Sequence, residues 1–171
     1  MTNYPTLISK RLSPIKYRID IKGANMGKVL IVYHSQSGNT KAAAEAVAQG
    51  TKDVSGTEVV VKEALHAGTE DLLSCDAIAV GTADYFSYMA GGLKDFFDRT
   101  FYPTQGAVTD KPCGIFVSHG GGGKAVESVK NICNTFKFNI IANPVLVKNR
   151  PNAEATANLI NLGRLLAEAA K

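Results

Sequence analysis

The sequence predicts an α/β fold, a doubly wound five-stranded parallel sheet with helices on both faces. Short apolar runs alternate with longer helical patterns from Met26 onward, the order expected of a parallel sheet. The first run, Val29-Leu30-Ile31-Val32-Tyr33, is continuously apolar, as in a strand covered on both faces. Loops of unusual composition follow the first, third and fourth runs. With 171 residues, 45% apolar and 20% charged, the chain has the size and balance of a single domain with a substantial core.

The elements follow in order. Residues 29–33 form the first strand, and a helix covers residues 40–49, with Ala43 and Val47 inward and Gly50 as its C-terminal stop. The second strand spans residues 58–64 around Val59-Val60-Val61. A short helix over residues 69–74 begins with Thr69 as its cap, and Glu70 and Asp71 suit its first turn. Ala77-Ile78-Ala79-Val80 is the third strand, running through Gly81 into a loop and then a helix over residues 89–99. Residues 113–118 form the fourth strand. The helix beyond it places Ala125, Val129, Ile132, Cys133 and Phe136 on one stripe. Ile140-Ile141 and Val145-Leu146-Val147 make an interrupted fifth strand, which Pro144 assigns to an edge or a bulge. Asn152 caps the last helix, whose Leu159, Leu162 and Leu166 face inward.

Residues 1–26 stand apart as an N-terminal extension. Ile15, Tyr17, Ile19 and Ile21 alternate with polar residues, the pattern of an extra antiparallel strand; the alternative is a mobile leader. This extension also carries the net charge of +4: it holds five basic residues against Asp20, which leaves fourteen basic and fourteen acidic side chains in the remainder. No basic patch on the domain points to nucleic acid. No apolar run is long enough for a transmembrane segment, and the start lacks the apolar core of a secretory signal, so a cytoplasmic setting is expected. Cys75, Cys113 and Cys133 lack metal spacing, and Cys113 in an apolar strand and Cys133 on an apolar helix face read as buried thiols, so neither a metal site nor a disulfide is expected.

In an open parallel sheet, ligands bind beyond the carboxyl ends of the strands, where strand order reverses. The first loop there is Ser35-Gln36-Ser37-Gly38-Asn39-Thr40. Its glycine lets the backbone curl, hydroxyls surround it, and the following helix adds free amides and a positive dipole end. With no arginine, and only Lys41 at its exit, this cradle suits a phosphate monoester. It lacks the pattern of a nucleoside triphosphatase loop. The second loop, Thr82-Ala83-Asp84-Tyr85-Phe86-Ser87-Tyr88, offers aromatic faces and hydroxyls to a flat ring with polar edges. The third, Ser118-His119-Gly120-Gly121-Gly122-Gly123, lets the backbone approach a ligand closely. A dinucleotide fingerprint is excluded there, because residues 128–149 contain no acid to hold a ribose. His119 reads as a hydrogen-bonding post at the start of this loop, in preference to a proton donor, and no catalytic residue is assigned. His34 and His66 lack the partners for a metal or a nucleophile.

Residues 35–40 match, at every defined position, the Thr/Ser-x-Thr/Ser-Gly-x-Thr motif that follows the first strand in the flavodoxin family, which residues 27–171 resemble throughout. The resemblance implies a flavodoxin-like, noncovalent FMN-binding domain over residues 27–171, with Ser35, Ser37, Asn39 and Thr40 around the 5′-phosphate. The segment from Gly81 to Thr100 is similar to the Gly-Thr-Pro-x-x-Phe-Gly-x-Met…Phe-x-Asp pattern of flavodoxin-like NAD(P)H:quinone oxidoreductases. It keeps Phe86, Met89, Phe96 and Asp98, with Ala83 in place of the proline and Ser87 in place of the glycine. In both families the loop corresponding to residues 118–123 meets the pyrimidine edge of the flavin through main-chain groups.

Two functional classes fit. One is an electron carrier that exchanges electrons with a redox partner protein through FMN. The length favours it, whereas the balanced charge of the domain differs from the acidity usual in such carriers. The other is a reductase on which NAD(P)H and then a quinone or flavin meet the same FMN. A flavin-free scaffold is disfavoured by the intact phosphate loop. Neither class specifies an oligomeric state.

Overall fold

A computed structural model describes residues 26–171. The extra strand or leader read for the N-terminal extension therefore lies outside the described residues, apart from Met26. The elements are β1 (Gly27–Tyr33), α1 (Asn39–Lys52), β2 (Thr57–Glu63), a 3-10 turn (Ala64–His66), α2 (Thr69–Ser74), β3 (Ala77–Tyr85), β4 (Tyr88–Met89), α3 (Gly91–Thr104), β5 (Pro112–His119), α4 (Ala125–Thr135), β6 (Asn139–Ile140), β7 (Val145–Lys148) and α5 (Ala153–Ala169).

Parallel strands lie in the order β2-β1-β3-β5, and β6 and β7 both pair with β5 as the two halves of one broken edge strand. This is the expected doubly wound five-stranded sheet, with Pro144 in the break. The short β4 is antiparallel to β3 and adds a hairpin at the end of the main sheet.

Side-chain alternation along each strand divides the core in two. Leu30, Val32, Ile78, Val80, Ile115 and Val117 pack with Leu72, Leu93, Phe96, Phe97, Val129 and Phe136 on the α2–α3–α4 side. Val29, Ile31, Ala77, Ala79 and Phe116 pack with Ala43, Val47, Leu159, Leu162 and Leu166 on the α1–α5 side. Each fully buried large side chain contributes about 1.5–3 kcal/mol of transfer free energy. Alanines on the α1–α5 side let those helices settle low on the sheet.

Four sequence expectations are corrected. Gly50 does not stop α1, which continues to Lys52; a Cβ on Gly50 would lie 1.9 Å from the Ile160 carbonyl oxygen, so this glycine serves the contact with α5. Thr69 is not the cap of α2, because Gly68 holds that position and its amide donates to Asp71 Oδ2 at 3.0 Å. The helix expected over residues 89–99 starts later and ends later, since β4 takes Met89 and the Thr100 and Thr104 hydroxyls bond back into α3. The segment read as a loop over residues 82–88 is mostly strand and hairpin. The Asn152 cap is present: its side chain accepts from the Ala155 amide at 2.8 Å.

Candidate functional site

The loops leaving β1, β3 and β5 emerge side by side, because these strands are neighbours in the sheet. The connection from β1 leads to one side of the sheet and that from β3 to the other, which opens a crevice between them.

At the end of β1, Ser35 Oγ accepts the Gly38 amide at 3.1 Å. Gly38 turns the chain into α1 with φ of 85°, a left-handed conformation that favours glycine. Helix α1 has no side-chain cap and no acid in its first turn, so its opening amides face outward with the positive end of the helix dipole. Gln36, Ser37 and Gly38 are exposed, and Ser35 and Asn39 are half-buried. Thr40 is buried, its hydroxyl 2.7 Å from that of Ser118 at the end of β5. This bond ties the first loop to the third.

Asp84 and Tyr85 pair with Met89 and Tyr88 around a two-residue turn, Phe86-Ser87. Both turn residues have positive φ, 55° and 64°, as a type I′ turn requires, yet neither is glycine or asparagine. Such backbone is strained, and Phe86 gains no burial from it, being fully exposed. Fixed contacts hold the hairpin in place. The Ala90 amide donates to Thr82 Oγ1 at 2.8 Å, and that hydroxyl donates to the Ala83 carbonyl. The Met89 amide donates to Ser128 Oγ at 3.0 Å, and the Ala125 amide reaches Asp84 Oδ2 at 3.4 Å. Sequence reasoning missed Ser128, since a serine on a helix stripe carries no sign of a contact 39 residues away.

In the third loop, Gly122 and Gly123 have φ of 137° and 65°. A side chain at Gly120 or Gly121 would meet nothing within 4 Å, so this backbone stands open. His119 Nδ1 accepts the Gly122 amide at 3.2 Å.

Other reactive groups are held back from chemistry. Burial pushes the Cys75 thiol up to about 11. The Cys113 thiol is raised well above its ordinary value by its hydrogen bond with Cys133, 3.8 Å away, and by burial. Burial also raises the Tyr33 hydroxyl, with Glu63 and Glu45 adding to the effect. His34 Nδ1 lies 3.9 Å from Glu63 Oε1 and packs where a Cβ on Gly92 would sit. A hollow of about 340 Å³ between Pro144, Leu146 and α5 is lined by no titratable side chain.

The strand order and the three strand-end loops are those of the flavodoxin-like class. An archaeal flavodoxin structure superposes with a TM-score of 0.75 at 26% identity, over 84% of this chain and 98% of that one. A flavodoxin from Streptococcus pneumoniae TIGR4 shares the fold with a TM-score of 0.74 at 22% identity, over 83% of this chain and 99% of that one. A flavodoxin of Aquifex aeolicus (strain VF5) is 40% identical over 102 residues, which are 60% of this chain and 55% of the relative; the chain thus spans about half the length of that curated relative. Residues 28–152 match the family described as NADPH-dependent FMN reductase, and the chain belongs to that family. Membership implies FMN as the cofactor. Among the described residues, no helix is long and apolar enough to cross a membrane.

Proposed function

We propose that residues 27–171 bind FMN noncovalently across the ends of β1, β3 and β5 and transfer electrons through it. The uncapped N-terminus of α1 behind Gly38 carries this reading, because it presents several amides and a positive dipole end to an anion. Ser35, Gln36, Ser37, Gly38, Asn39 and Thr40 hold the phosphate. A hydroxyl offers one donor and two acceptor sites. When Ser118 donates to Thr40, the Thr40 proton is therefore free for the phosphate. Ala83, Asp84, Tyr85, Phe86 and Ser87 wall the ring on one side, and the buried Thr82 braces them from behind. Ser118, His119 and residues 120–123 border it on the other, where open glycine backbone can meet a polar edge. Bound FMN supplies a ring that takes up and returns one or two electrons.

Purified protein should be yellow, and the released chromophore should co-chromatograph with FMN. A colourless protein that fails to take up added FMN would refute the assignment.

The family match favours a second reading, an NAD(P)H-dependent quinone or flavin reductase that uses the same FMN. Rapid bleaching of the flavin by NADPH or NADH alone, followed by turnover on benzoquinone, supports the reductase. Bleaching only after a reductase is added supports a carrier with a partner protein.

A further inference from the structure

We infer that His119 is a positioning residue for the glycine loop, a clasp that holds only while its imidazole is neutral; its bearing on the cofactor rests on the FMN reading above. The Gly122 amide meets His119 Nδ1 at 3.2 Å. A backbone N–H can only donate, so Nδ1 is the acceptor and the single ring proton sits on Nε2. Protonation places a hydrogen on Nδ1 as well, and two donors then face each other. Protonation of the ring therefore opens the clasp.

The ring is built into the loop that it closes. A Cβ on Gly123 would lie 3.3 Å from His119 Cδ2 and 2.8 Å from Leu146 Cδ2, so this left-handed position is shaped around both side chains. The backbone of His119 is held from the other side, where the Asn149 amide donates to its carbonyl at 2.8 Å. Gly120 and Gly121, between the histidine and its partner amide, stand open. Charged groups on the bordering elements are Lys124 after the loop, Glu127 and Lys130 on α4, Lys148 opposite His119 on β7, Arg150 just beyond, and Asp84 from β3 at the Ala125 amide.

Glycine loses more backbone freedom on ordering than any other residue, so a four-glycine loop gains most from being closed in advance. With the ring neutral the clasp makes the loop ready for a ligand's polar edge, and protonation loosens it.

The test titrates FMN, by quenching of flavin fluorescence, into wild-type protein, His119→Asn and His119→Leu at a series of pH values that takes the ring from neutral to protonated. The asparagine oxygen can take the place of Nδ1 without titrating. The FMN phosphate has a second ionisation near pH ~6, as phosphomonoesters do, so the quantity read is the affinity ratio of wild type to His119→Asn. That ratio should fall about fivefold on acidification, the factor equivalent to one hydrogen bond of about 1 kcal/mol. His119→Leu should bind more weakly than His119→Asn at every pH. A ratio independent of pH, or equal affinities for the two variants, would overturn the link to the cofactor. Amide NMR of the cofactor-free protein gives an independent readout. The Gly122 resonance should shift with the same midpoint as the His119 ring, and the neutral ring should carry its proton on Nε2. A Gly122 resonance that ignores the titration overturns the clasp. Failure of all three proteins to bind FMN, with Gly122 still tracking His119, overturns the FMN reading and leaves the clasp in place.

Discussion

Replacing Thr40 by valine should separate the two tasks of its hydroxyl. The side chain is buried and its Oγ1 lies 2.7 Å from Ser118 Oγ, so valine preserves the volume and strands a serine hydroxyl that is itself 4% exposed. An unsatisfied buried polar group costs about 1–3 kcal/mol. Taking ~2 kcal/mol, the melting temperature of the cofactor-free protein should drop by roughly 4–8 °C. FMN affinity should fall about 10- to 100-fold, since a hydrogen bond to a charged group is worth about 1.5–3 kcal/mol. Adding Ser118→Ala removes the stranded partner and should restore most of the stability. It returns no donor to the phosphate, so affinity should stay low. Thermal unfolding monitored by circular dichroism and FMN titration by fluorescence quenching measure the two effects. Recovery of both in the double variant, or unchanged affinity in Thr40→Val, would refute the assignment of Thr40 to the phosphate.

Gly50→Ala should destabilise the protein by about 2 kcal/mol in urea unfolding: overpacking against the Ile160 carbonyl outweighs the gain of up to ~1 kcal/mol that alanine brings to a helix. Phe86→Asn with Ser87→Gly should raise stability by about 1 kcal/mol or more, because it fits the I′ turn and gives up no burial; a drop in melting temperature would contradict the strain argued for this hairpin. A thiol reagent at about pH 8 should leave the native protein unlabelled over minutes and label all three cysteines in denaturant, since burial keeps Cys75 protonated and the hydrogen bond with Cys133, together with burial, does so for Cys113. Their folded values lie above that of an ordinary thiol, so their contribution to stability is complete below the unfolded thiol range. It should decline as pH rises from there towards 11, the folded value of Cys75, which urea midpoints across that window would show.

Where apolar periodicity decides an element, the sequence reading matches the structure. The parallel strands, the broken edge at Pro144, the Asn152 cap and the inward stripes of α4 and α5 all follow from short-range pattern. The misses arise where one residue type serves two physical ends. A glycine near the end of a helix signals a stop, yet Gly50 is there to admit the backbone of α5. A two-residue hairpin is normally announced by Asn-Gly, and Phe86-Ser87 hides it because surrounding hydrogen bonds hold the strained turn. The residues proposed to hold the phosphate stand together in the chain, so that proposal can be read from the sequence. The pairing of Thr40 with Ser118, 78 positions apart, and the latch of Ser128 onto the hairpin exist only once the sheet is assembled.

The two close approaches between α1 and α5 bear on the order in which the protein is made. Gly50 abuts the carbonyl of Ile160, and Gly163 abuts that of Val47, so each helix is seated directly on the backbone of the other. Of the described helices, α1 leaves the ribosome first and α5 last. Until α5 emerges, that side of the sheet is covered by α1 alone, and the α5-facing side of α1 stays open to water. Synthesis from the N-terminus can therefore shape the opposite layer early, whereas the layer behind the loop that follows β1 closes only once α5 has emerged.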